Sequence, residues 1–585
     1  MTVFRVWAPT AHTVAVALGD ARDGAAERVS MRAGARGWWE ADVPQAGPGT
    51  DYRFALDGGE PAPDPRSPWQ PDGVFGPSRV VDHAAFAWSD AGFQSPPLSA
   101  AILYEVHIGT FTPEGTYTAA IERLDHLVRL GVTHVELMPA HQFPGSRSWG
   151  YDGVDLFAPQ ASYGGPEGLK TFVDACHRRG LGVVMDVVYN HLGPSGNYLG
   201  RFGPYFTERY ATSWGAAVNL DGPGSDEVRR FLRDNALMWL RDYHCDGLRL
   251  DAVHALLDSS ATHILEQVAR EVEGLAAAAG RHLFVIAESA LNDPRLVRSR
   301  EAGGYGLDAQ WSDDFHHALH TVLTGERDGY YVDFGRLADL ADALEHAFVY
   351  DGRYSPFLDR VHGRPIGNIP GYRFLGYAQN HDQIGNRARG ERSSALLSTD
   401  QLKIAAALVL TAPFTPMLFQ GEEWGATTPF QYFTDHQDPE LARAVSRGRR
   451  EEFIAFGWNP DDVPDPQDPA TFERSTLNWD EARREPHASL LSWHRQLISL
   501  RRSTPSLVDG RLDRVHVDID EEARWLVLER GSITVACNFA DERREAPLRP
   551  APRRILLASA DGVELSGDRV ALPAAAVAIL DGAAL

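Results

Sequence analysis

Acidic residues end several of the unbroken apolar runs in the middle of the chain. Asp186 closes LGVVMD, Asp251 closes GLRLD, Glu288 closes LFVIAE and Asp382 closes FLGYAQNHD. A single acid in such a place is more often a helix cap or a turn residue, but four in succession favour a site. Two carboxylates, one ionised and one protonated, are the minimal equipment for cleaving a glycosidic bond. The pattern therefore points to glycoside chemistry, provided that the fold brings these side chains together.

The two-residue period of a strand places the acids relative to their neighbours. In GLRLD, Arg249 and Asp251 share one side, and the guanidinium is expected to hold the pKa of Asp251 low, as a nucleophile requires. In LFVIAE, Phe284 and Ile286 lie on the side of Glu288, and this apolar lining is expected to raise its pKa, as a proton donor requires.

The apolar runs are the strands that must position these residues. Unbroken apolar runs are typical of strands buried on both faces of a parallel sheet, and amphipathic helical stretches such as 118–131 and 226–243 lie between them. The eight predicted strands lie within 102–108, 132–139, 181–191, 246–254, 283–289, 306–312, 374–382 and 415–424. Eight units predict an α/β fold of the (β/α)8 TIM-barrel type; a doubly wound sheet is the alternative.

Alternating, turn-punctuated segments flank the barrel and predict two further domains. We expect an N-terminal β-sandwich over 1–90, resembling a carbohydrate-binding module, a catalytic barrel with inserted loops over 91–509, and a C-terminal antiparallel β domain over 510–585. The first domain either binds glucan or only packs on the barrel, and packing is the favoured reading.

Composition restricts the class of partner. The net charge of −24 opposes binding to nucleic acid or to anionic membranes but has little effect on a neutral sugar. Three cysteines without metal-ligand spacing predict free thiols rather than disulfides. The first residues lack the pattern of a signal peptide, and no run is long enough to span a membrane, so a cytoplasmic location is expected.

Four segments resemble the motifs of the α-amylase family of glycoside hydrolases. These are DVVYNH at 186–191, GLRLDAVH at 247–254, IAES at 286–289 and NHD at 380–382. The resemblance implies that Asp251 is the nucleophile, Glu288 the general acid/base and Asp382 the stabiliser of the transition state. It further implies that Asp186 and Arg249 hold this constellation, while His191 and His381 contact the sugar at the point of cleavage.

Within that family, the surrounding stretches are most similar to the trehalohydrolases that act on maltooligosyl trehalose. The similar stretches lie at 149–166, 214–225, 288–295, 308–320, 380–388 and 421–436, and Ala290 departs from them where an acidic residue is usual. The resemblance implies cleavage of the α-1,4 bond next to a terminal trehalose, downstream of an enzyme that forms maltooligosyl trehalose. Glucan branching or debranching at α-1,6 linkages is one alternative, and a non-catalytic glucan-binding module is another.

The remaining candidate substrate contacts are aromatic and polar residues near strand ends. Aromatic rings stack on the apolar faces of sugars, although some of these rings are expected to be core instead. The further candidates are Trp149, Tyr151, Trp214, Trp311, His254, Asp313, Asp314, Asn380 and Gln383. No cofactor and no metal are expected. Asn190 matches one calcium ligand of secreted α-amylases, but the segment 192–224 has too few carboxylates for a Ca²⁺ cage.

Overall fold

The computed structural model describes residues 2–19, 27–454, 459–549, 552 and 554–581. The chain forms a β-sandwich, a closed parallel barrel surrounded by helices, and a C-terminal β domain. The outermost positions of the predicted terminal domains, residues 1 and 582–585, lie outside the described residues. No helix of the described part of the chain is long and apolar enough to cross a membrane.

The N-terminal domain consists of two antiparallel sheets with the strand orders β1-β5-β4 and β3-β2-β6-β7. Alternating burial along the strands places one side of each sheet in the core, as the alternating sequence predicts. The strands are β1 (Thr2–Trp7), β2 (Val14–Leu18), β3 (Glu27–Ser30), β4 (Arg32–Ala33), β5 (Trp38–Val43), β6 (Asp51–Leu56) and β7 (Ser78–Arg79).

Eight parallel strands close the barrel in the order β12-β15-β16-β17-β20-β21-β8-β9. They are β8 (Leu103–Val106), β9 (His134–Leu137), β12 (Gly182–Val187), β15 (Gly247–Leu250), β16 (Phe284–Ala287), β17 (Ala309–Trp311), β20 (Phe374–Gly376) and β21 (Thr415–Phe419). Each lies within one of the eight apolar runs, so the barrel is confirmed and the doubly wound alternative is wrong. Inward-pointing Leu103, Val184, Ile286, Leu375 and Met417 fill its centre.

Helices cover the outside of the barrel and hairpins extend its mouth. The helices are α1 (Ile108–Phe111), α2 (Tyr117–Ile121), α3 (Leu124–Leu130), α4 (Gly165–His177), α5 (Leu199–Phe202), α6 (Ser225–Arg241), α7 (Ile264–Ala279), α8 (Asp313–Thr324), α9 (Leu337–His346), α10 (His381–Gly385), α11 (Ser393–Leu396), α12 (Thr399–Thr411), α13 (Pro439–Ile454), α14 (Pro469–Arg474), α15 (His487–Ser503) and α16 (Pro505–Val508). The hairpins are β10 (His141–Gln142) with β11 (Asp155–Pro159), β13 (Phe206–Thr212) with β14 (Gly215–Val218), and β18 (Asp351–Ser355) with β19 (Arg360–Gly363). The predicted helix over 118–131 is two helices, α2 and α3.

The C-terminal domain has a five-stranded sheet, β22-β23-β24-β29-β26, and a three-stranded sheet, β25-β28-β27. Its strands are β22 (Val515–Asp520), β23 (Trp525–Arg530), β24 (Ile533–Asn538), β25 (Arg544–Pro547), β26 (Arg554–Ala558), β27 (Glu564–Ser566), β28 (Arg569–Leu572) and β29 (Ala576–Asp581). The predicted boundaries at 90/91 and 509/510 fall between β7 and β8 and between α16 and β22.

Candidate active site

Adjacent strand ends of the barrel bring the predicted acids together. Asp186 on β12 is in register with Arg249 on β15, and Arg249 is in register with Ile286 on β16. Asp251 and Glu288 follow these strands directly, so both lie at the mouth of the barrel. The carboxyl ends of the strands are where barrel enzymes carry out their chemistry.

One fully buried guanidinium connects three of the carboxylates. Arg249 Nη1 donates to Asp186 at 2.8 and 2.7 Å and to Asp251 Oδ1 at 2.9 Å. Its Nη2 forms an ion pair with Glu288 Oε2 at 3.0 Å. Below the guanidinium, the ring of Trp311 lies 4.3 Å away in a cation–π contact. Asp251 and Glu288 are thus held close together by one planar group.

A backbone donor adds to the environment of Glu288. Its Oε2 accepts a hydrogen bond of 2.7 Å from the N–H of Ala252, a residue that adopts a left-handed φ of 39° in the turn after Asp251. Such a φ is costly for a residue with a Cβ, so the surrounding contacts must enforce it. The turn that follows one acid therefore supplies a hydrogen bond to the other.

The pKa values of the two acids differ from the expectation. Burial raises the pKa of Asp251 well above its usual range, and the nearby Glu288 charge raises it further. Burial also acts to raise the pKa of Glu288, but Arg249 and the Ala252 N–H outweigh it and lower that pKa. The expected order is therefore reversed, because Nη1 of Arg249 is shared between Asp186 and Asp251 while Nη2 and Ala252 both serve Glu288.

His381 and Tyr151 link Asp382 to the rest of the site. His381 Nδ1 contacts Glu105 at 2.5 Å, its Nε2 lies 2.8 Å from the Tyr151 hydroxyl, and the same nitrogen lies 3.6 Å from Asp382. Burial opposes the charged imidazole, but Glu105 outweighs it and raises the pKa of His381 to about 9. The Tyr151 hydroxyl then donates to Asp186 at 2.7 Å. Sequence reasoning missed Glu105, although an acid inside the run ILYEVHI was a signal for it.

Two of the four predicted aromatic contacts are in the interior. Trp149 is 4 % exposed, stacks on Phe430, and donates from Nε1 to the Gln431 carbonyl, while Trp311 is 2 % exposed beneath Arg249. Their predicted sugar contact is corrected to a packing role, because neither ring offers an open face. Trp214 is 48 % exposed and stacks on His191 at 4.9 Å, as a sugar-binding platform would.

Several predicted polar contacts are used within the protein. The Asn380 side chain caps α10 and is fully buried. Asp314 accepts hydrogen bonds from the backbone N–H groups of Val349 and Tyr350 at 2.7 and 2.8 Å, so it anchors a loop. Asn380 is therefore corrected from a substrate contact to a positioning residue, whereas the substrate contact of Asp314, which also lines the cleft described next, stays a prediction. Gln383 Oε1 also accepts from the Asn380 N–H, although this glutamine still lines the cleft described next.

A cleft of about 450 Å³ opens beside Glu288 and Asp382. Of the predicted residues, it is lined by His254, Glu288, Asp313, Asp314, Asp382 and Gln383. Asp313 accepts from the Tyr377 hydroxyl at 2.6 Å, and burial raises its pKa to about 7. The far wall of the cleft carries His317 and Asn386, which lie in the similar stretches 308–320 and 380–388, and it also carries Tyr330, Phe334, Phe357 and Arg360, which sequence reasoning missed. The aromatic-rich run GYYVDF at 329–334 was the available signal.

No group of three or more His, Cys, Asp or Glu side chains suited to a metal ion occurs among the residues that the structure describes. Asn190, the single match to a calcium ligand, is buried and its amide has no hydrogen-bond partner in the described part of the chain. One amide does not make a Ca²⁺ cage, which takes six to eight oxygen ligands.

Three family descriptions match successive parts of the chain. Residues 82–210 match the alpha amylase catalytic domain, residues 1–70 match carbohydrate-binding module 48 (isoamylase N-terminal domain), and residues 510–579 match a domain of unknown function, DUF3459. A Salmonella typhimurium crystal structure designated an alpha amylase is 38 % identical, with a TM-score of 0.90 over 99 % of this chain and 97 % of that one. The fold and the site define a glycoside hydrolase of the α-amylase type.

Relatives with curated names identify the family within the α-amylase type more precisely. A malto-oligosyltrehalose trehalohydrolase from Rhizobium sp. (strain M-11) is 51 % identical over 99 % of this chain and 97 % of its own length. One from Arthrobacter ramosus is 53 % identical over 94 % of this chain and 93 % of its own length. The chain belongs to the malto-oligosyltrehalose trehalohydrolase family. A glucan branching enzyme, GlgB from Corynebacterium jeikeium, is 30 % identical over 72 % of this chain and 61 % of its own length.

Proposed function

We propose that this enzyme hydrolyses the α-1,4-glucosidic bond next to the terminal trehalose of maltooligosyl trehalose and releases trehalose. The observation that carries the proposal is the 51 % identity to a trehalohydrolase over nearly the whole of both chains. The match covers 99 % of this chain, so it includes the loops around the mouth as well as the barrel. The substrate would come from an enzyme that forms maltooligosyl trehalose.

In the proposed mechanism, Asp251 attacks the anomeric carbon of the glucose unit on the glucan side of the bond. Its carboxylate lies at the mouth of the barrel, 2.9 Å from the guanidinium that orients it. Attack forms a glycosyl ester and breaks the bond to trehalose. Water then hydrolyses the ester, and the anomeric configuration is retained after two inversions.

Glu288 would protonate the departing oxygen of trehalose and later deprotonate the attacking water. One of its oxygens is fixed by the N–H of Ala252 and by Arg249, which leaves the other for proton transfer. Arg249 and the Ala252 N–H favour the ionised form of Glu288, whereas Glu288 must carry a proton when the bond breaks, so we infer that bound substrate raises the pKa of Glu288. An ionised Asp251 facing an electron-poor anomeric carbon provides the driving force for this shift.

Asp382 would stabilise the oxocarbenium-like transition state from the side of the cleft. It is about one-third exposed, and its position depends on α10 and on contacts with His381 and Asn386. The positive charge of His381 keeps an attractive partner beside the Asp382 carboxylate. Positive charge that develops on the sugar then meets a carboxylate already in place.

Specificity would come from the far wall of the cleft, where the trehalose unit leaves. His317 Nδ1 is buried without a hydrogen-bond partner among the described residues, and burial lowers its pKa to about 3, so the imidazole is neutral. Polar groups that only the correct sugar satisfies can discriminate strongly between substrates. The wall also offers the rings of Tyr330 and Phe357 to a disaccharide.

The test compares kcat/KM for maltotriosyl trehalose with that for maltopentaose. The proposal expects a clear preference for the trehalose-ended substrate and free trehalose as a product. Equal values, or α-1,6 branches formed from amylose, would favour a branching enzyme instead. Glucan binding without turnover would favour a non-catalytic module. Proton NMR of the first-formed malto-oligosaccharide should show the α-anomer, whereas initial β-anomer would require inversion.

A further inference from the structure

A second cavity, the junction pocket, lies between the N-terminal domain and the barrel. Its volume is about 590 Å³, which is within the range of small-molecule sites. None of its lining residues lines the catalytic cleft. The residues that matter for its chemistry are Trp69, Asp82, Phe86, Glu167 and Lys170. The pocket is therefore a separate place on the molecule.

Two aromatic rings form the apolar part of the junction pocket. Trp69 and Phe86 are both partly exposed. The Arg79 guanidinium lies 5.1 Å from the Trp69 ring, and Arg79 is itself held by Asp51 through hydrogen bonds of 2.6 and 2.9 Å. The Trp69 ring is thus fixed in place by its neighbours. A fixed, partly exposed ring suits stacking against the CH faces of sugars, because little side-chain entropy is lost on binding.

Lys170 provides donors that the protein does not use fully. Its side chain is buried, with 3 % of the residue exposed, and its Nζ donates to the His83 carbonyl at 2.9 Å. An ammonium has three N–H groups, and no carboxylate of the described residues forms an ion pair with it. A buried cation with incomplete hydrogen bonding is costly, so an acceptor from a ligand would be stabilising.

Two carboxylates complete the polar lining. Glu167, in the first turn of α4, forms no side-chain hydrogen bond among the described residues, and Asp82 caps a turn through the Ala84 N–H at 2.9 Å. Donors and acceptors together match hydroxyl groups, which donate and accept at once. Two carboxylates beside one ammonium would instead repel phosphate or another anion. The lining favours a neutral, hydroxyl-rich ligand.

The junction pocket includes the beginning of α4. Helices of such a barrel run opposite to the strands, so the beginning of α4, which lines the pocket, lies at the mouth where the strands end. Tyr151, which hydrogen-bonds Asp186, lies in the same connection between β9 and α4. A chain of several glucose units could therefore contact both places.

We propose that the junction pocket is a second binding site for α-1,4-glucan, stacking glucose units on Trp69 and Phe86 and bonding their hydroxyls to Lys170 and Glu167. The proposal rests on the proposed function only for the choice of glucan as ligand. Its role would be to hold the chain of a long substrate while the catalytic cleft engages the trehalose end.

The test is calorimetric titration of the Asp251→Asn enzyme with maltoheptaose, so that no ligand is consumed. Adding Trp69→Ala with Phe86→Ala should lower the stoichiometry by one maltoheptaose per chain. Adding Phe75→Ala, which alters an exposed ring on the same connector but outside the pocket, should not. Because catalysis is not measured, failure to release trehalose from the natural substrate would not affect this result.

A second set of variants distinguishes the loss of a binding contact from misfolding of the protein. Trp69→Phe should retain part of the binding, and Lys170→Met should weaken it roughly 5- to 10-fold with an unchanged melting temperature, as expected for a lost charged hydrogen bond. Unchanged stoichiometry in a folded Trp69→Ala, Phe86→Ala enzyme would overturn the proposal. The proposal would also be overturned if the pocket bound inorganic phosphate rather than maltoheptaose, and if Lys170→Met abolished that phosphate binding.

Discussion

At the scale of residues, the arrangement of the candidate site depends on Arg249. Its guanidinium is fully buried and contacts Asp186, Asp251 and Glu288, so three carboxylates are oriented by one group. Removal of a buried cation that is surrounded by acids leaves uncompensated charge. Arg249 is therefore expected to be needed for folding of the mouth as much as for the reaction.

The first prediction concerns Asp251→Asn. The amide cannot form the glycosyl ester, so kcat should fall by roughly 10³-fold or more, while the fold and glucan binding persist because the change is isosteric. Initial rates and thermal unfolding measure the two effects. Asp400→Asn, an exposed aspartate on α12, is the matched control and should keep full activity. A mutant that retains more than a few per cent of turnover would remove Asp251 from its proposed role.

The second prediction concerns the charge of His381. Its pKa is raised to about 9 in the folded protein against about 6.5 for an unperturbed histidine. The stabilisation from its ionised form is therefore complete below about pH 6.5 and is lost as the pH rises through about 9. Melting temperatures across pH 6–10 should show a decline that Glu105→Gln reduces, because this variant removes the carboxylate that raises the pKa. The same decline in both proteins would contradict the assignment.

The sequence predicted which acids lie at the strand ends, but not the contacts that surround them. Asp251 and Glu288 were predictable because strand ends and a two-residue period are local features. The reversed pKa order was not, because it depends on which nitrogen of Arg249 faces which carboxylate. The burial of Trp149 was not predictable either, because it depends on Phe430, which is distant in the sequence.

At the scale of elements, the short helix α10 carries Asp382 and is held from two sides. Arg387 pairs with Glu326 through two contacts of 2.8 Å. From α13, Arg449 donates to the carbonyl of Gly385 and, at 3.2 Å, to Asn386 Oδ1. Asn386 in turn donates to Asp382 Oδ1 at 3.3 Å. A helix of five residues has little stability of its own, so these contacts must fix its position.

The third prediction tests this support with Arg449→Met. Without the guanidinium, Asn386 and Asp382 lose a fixed orientation, so kcat should fall roughly 10- to 100-fold with little change in KM. Arg447→Met, on the exposed side of the same helix, is the matched control. Steady-state kinetics on the trehalose-ended substrate provide the measurement. A rise in KM with unchanged kcat would mean that Arg449 only shapes a binding surface.

The elements themselves were largely predictable, whereas the wall of the cleft was not. Eight apolar runs identified eight strands because parallel strands are buried on both faces. Tyr330, Phe334, Phe357 and Arg360 of this wall lie in the segment after α8, which includes the hairpin β18–β19. Its position follows from long-range contacts, such as Asp314 to the backbone of Tyr350, that no local pattern encodes.

At the scale of the whole molecule, the C-terminal domain is joined to the barrel by a buried arginine. Arg530, at the end of β23, donates to the carbonyls of Thr411 and Ala412 at 2.6 and 2.8 Å and to that of Leu507 at 3.2 Å. Arg501 on α15 also donates to the Ala412 carbonyl, at 3.0 Å. The segment that leads from α12 into the barrel strand β21 is thus fixed by the domain that follows the barrel.

The last prediction is that Arg530→Met destabilises the protein although Arg530 is remote from the catalytic cleft. The methionine keeps an apolar stem but removes every donor, so the buried carbonyls of Thr411 and Leu507 lose a partner, while that of Ala412 keeps Arg501. A buried acceptor left unpaired costs about 1–3 kcal/mol, which gives a loss of roughly 2–6 kcal/mol for two. The effect should appear as a lower melting temperature with nearly unchanged kcat/KM at low temperature. Arg543→Met is the control and should shift the melting temperature little, because the Arg543 side chain is 46 % exposed and contacts only Glu564 and the Gly562 carbonyl, both at the surface. Equal stability of the two variants would show that the C-terminal domain is held by its apolar contacts alone, because the arginine would then contribute no more than a surface ion pair.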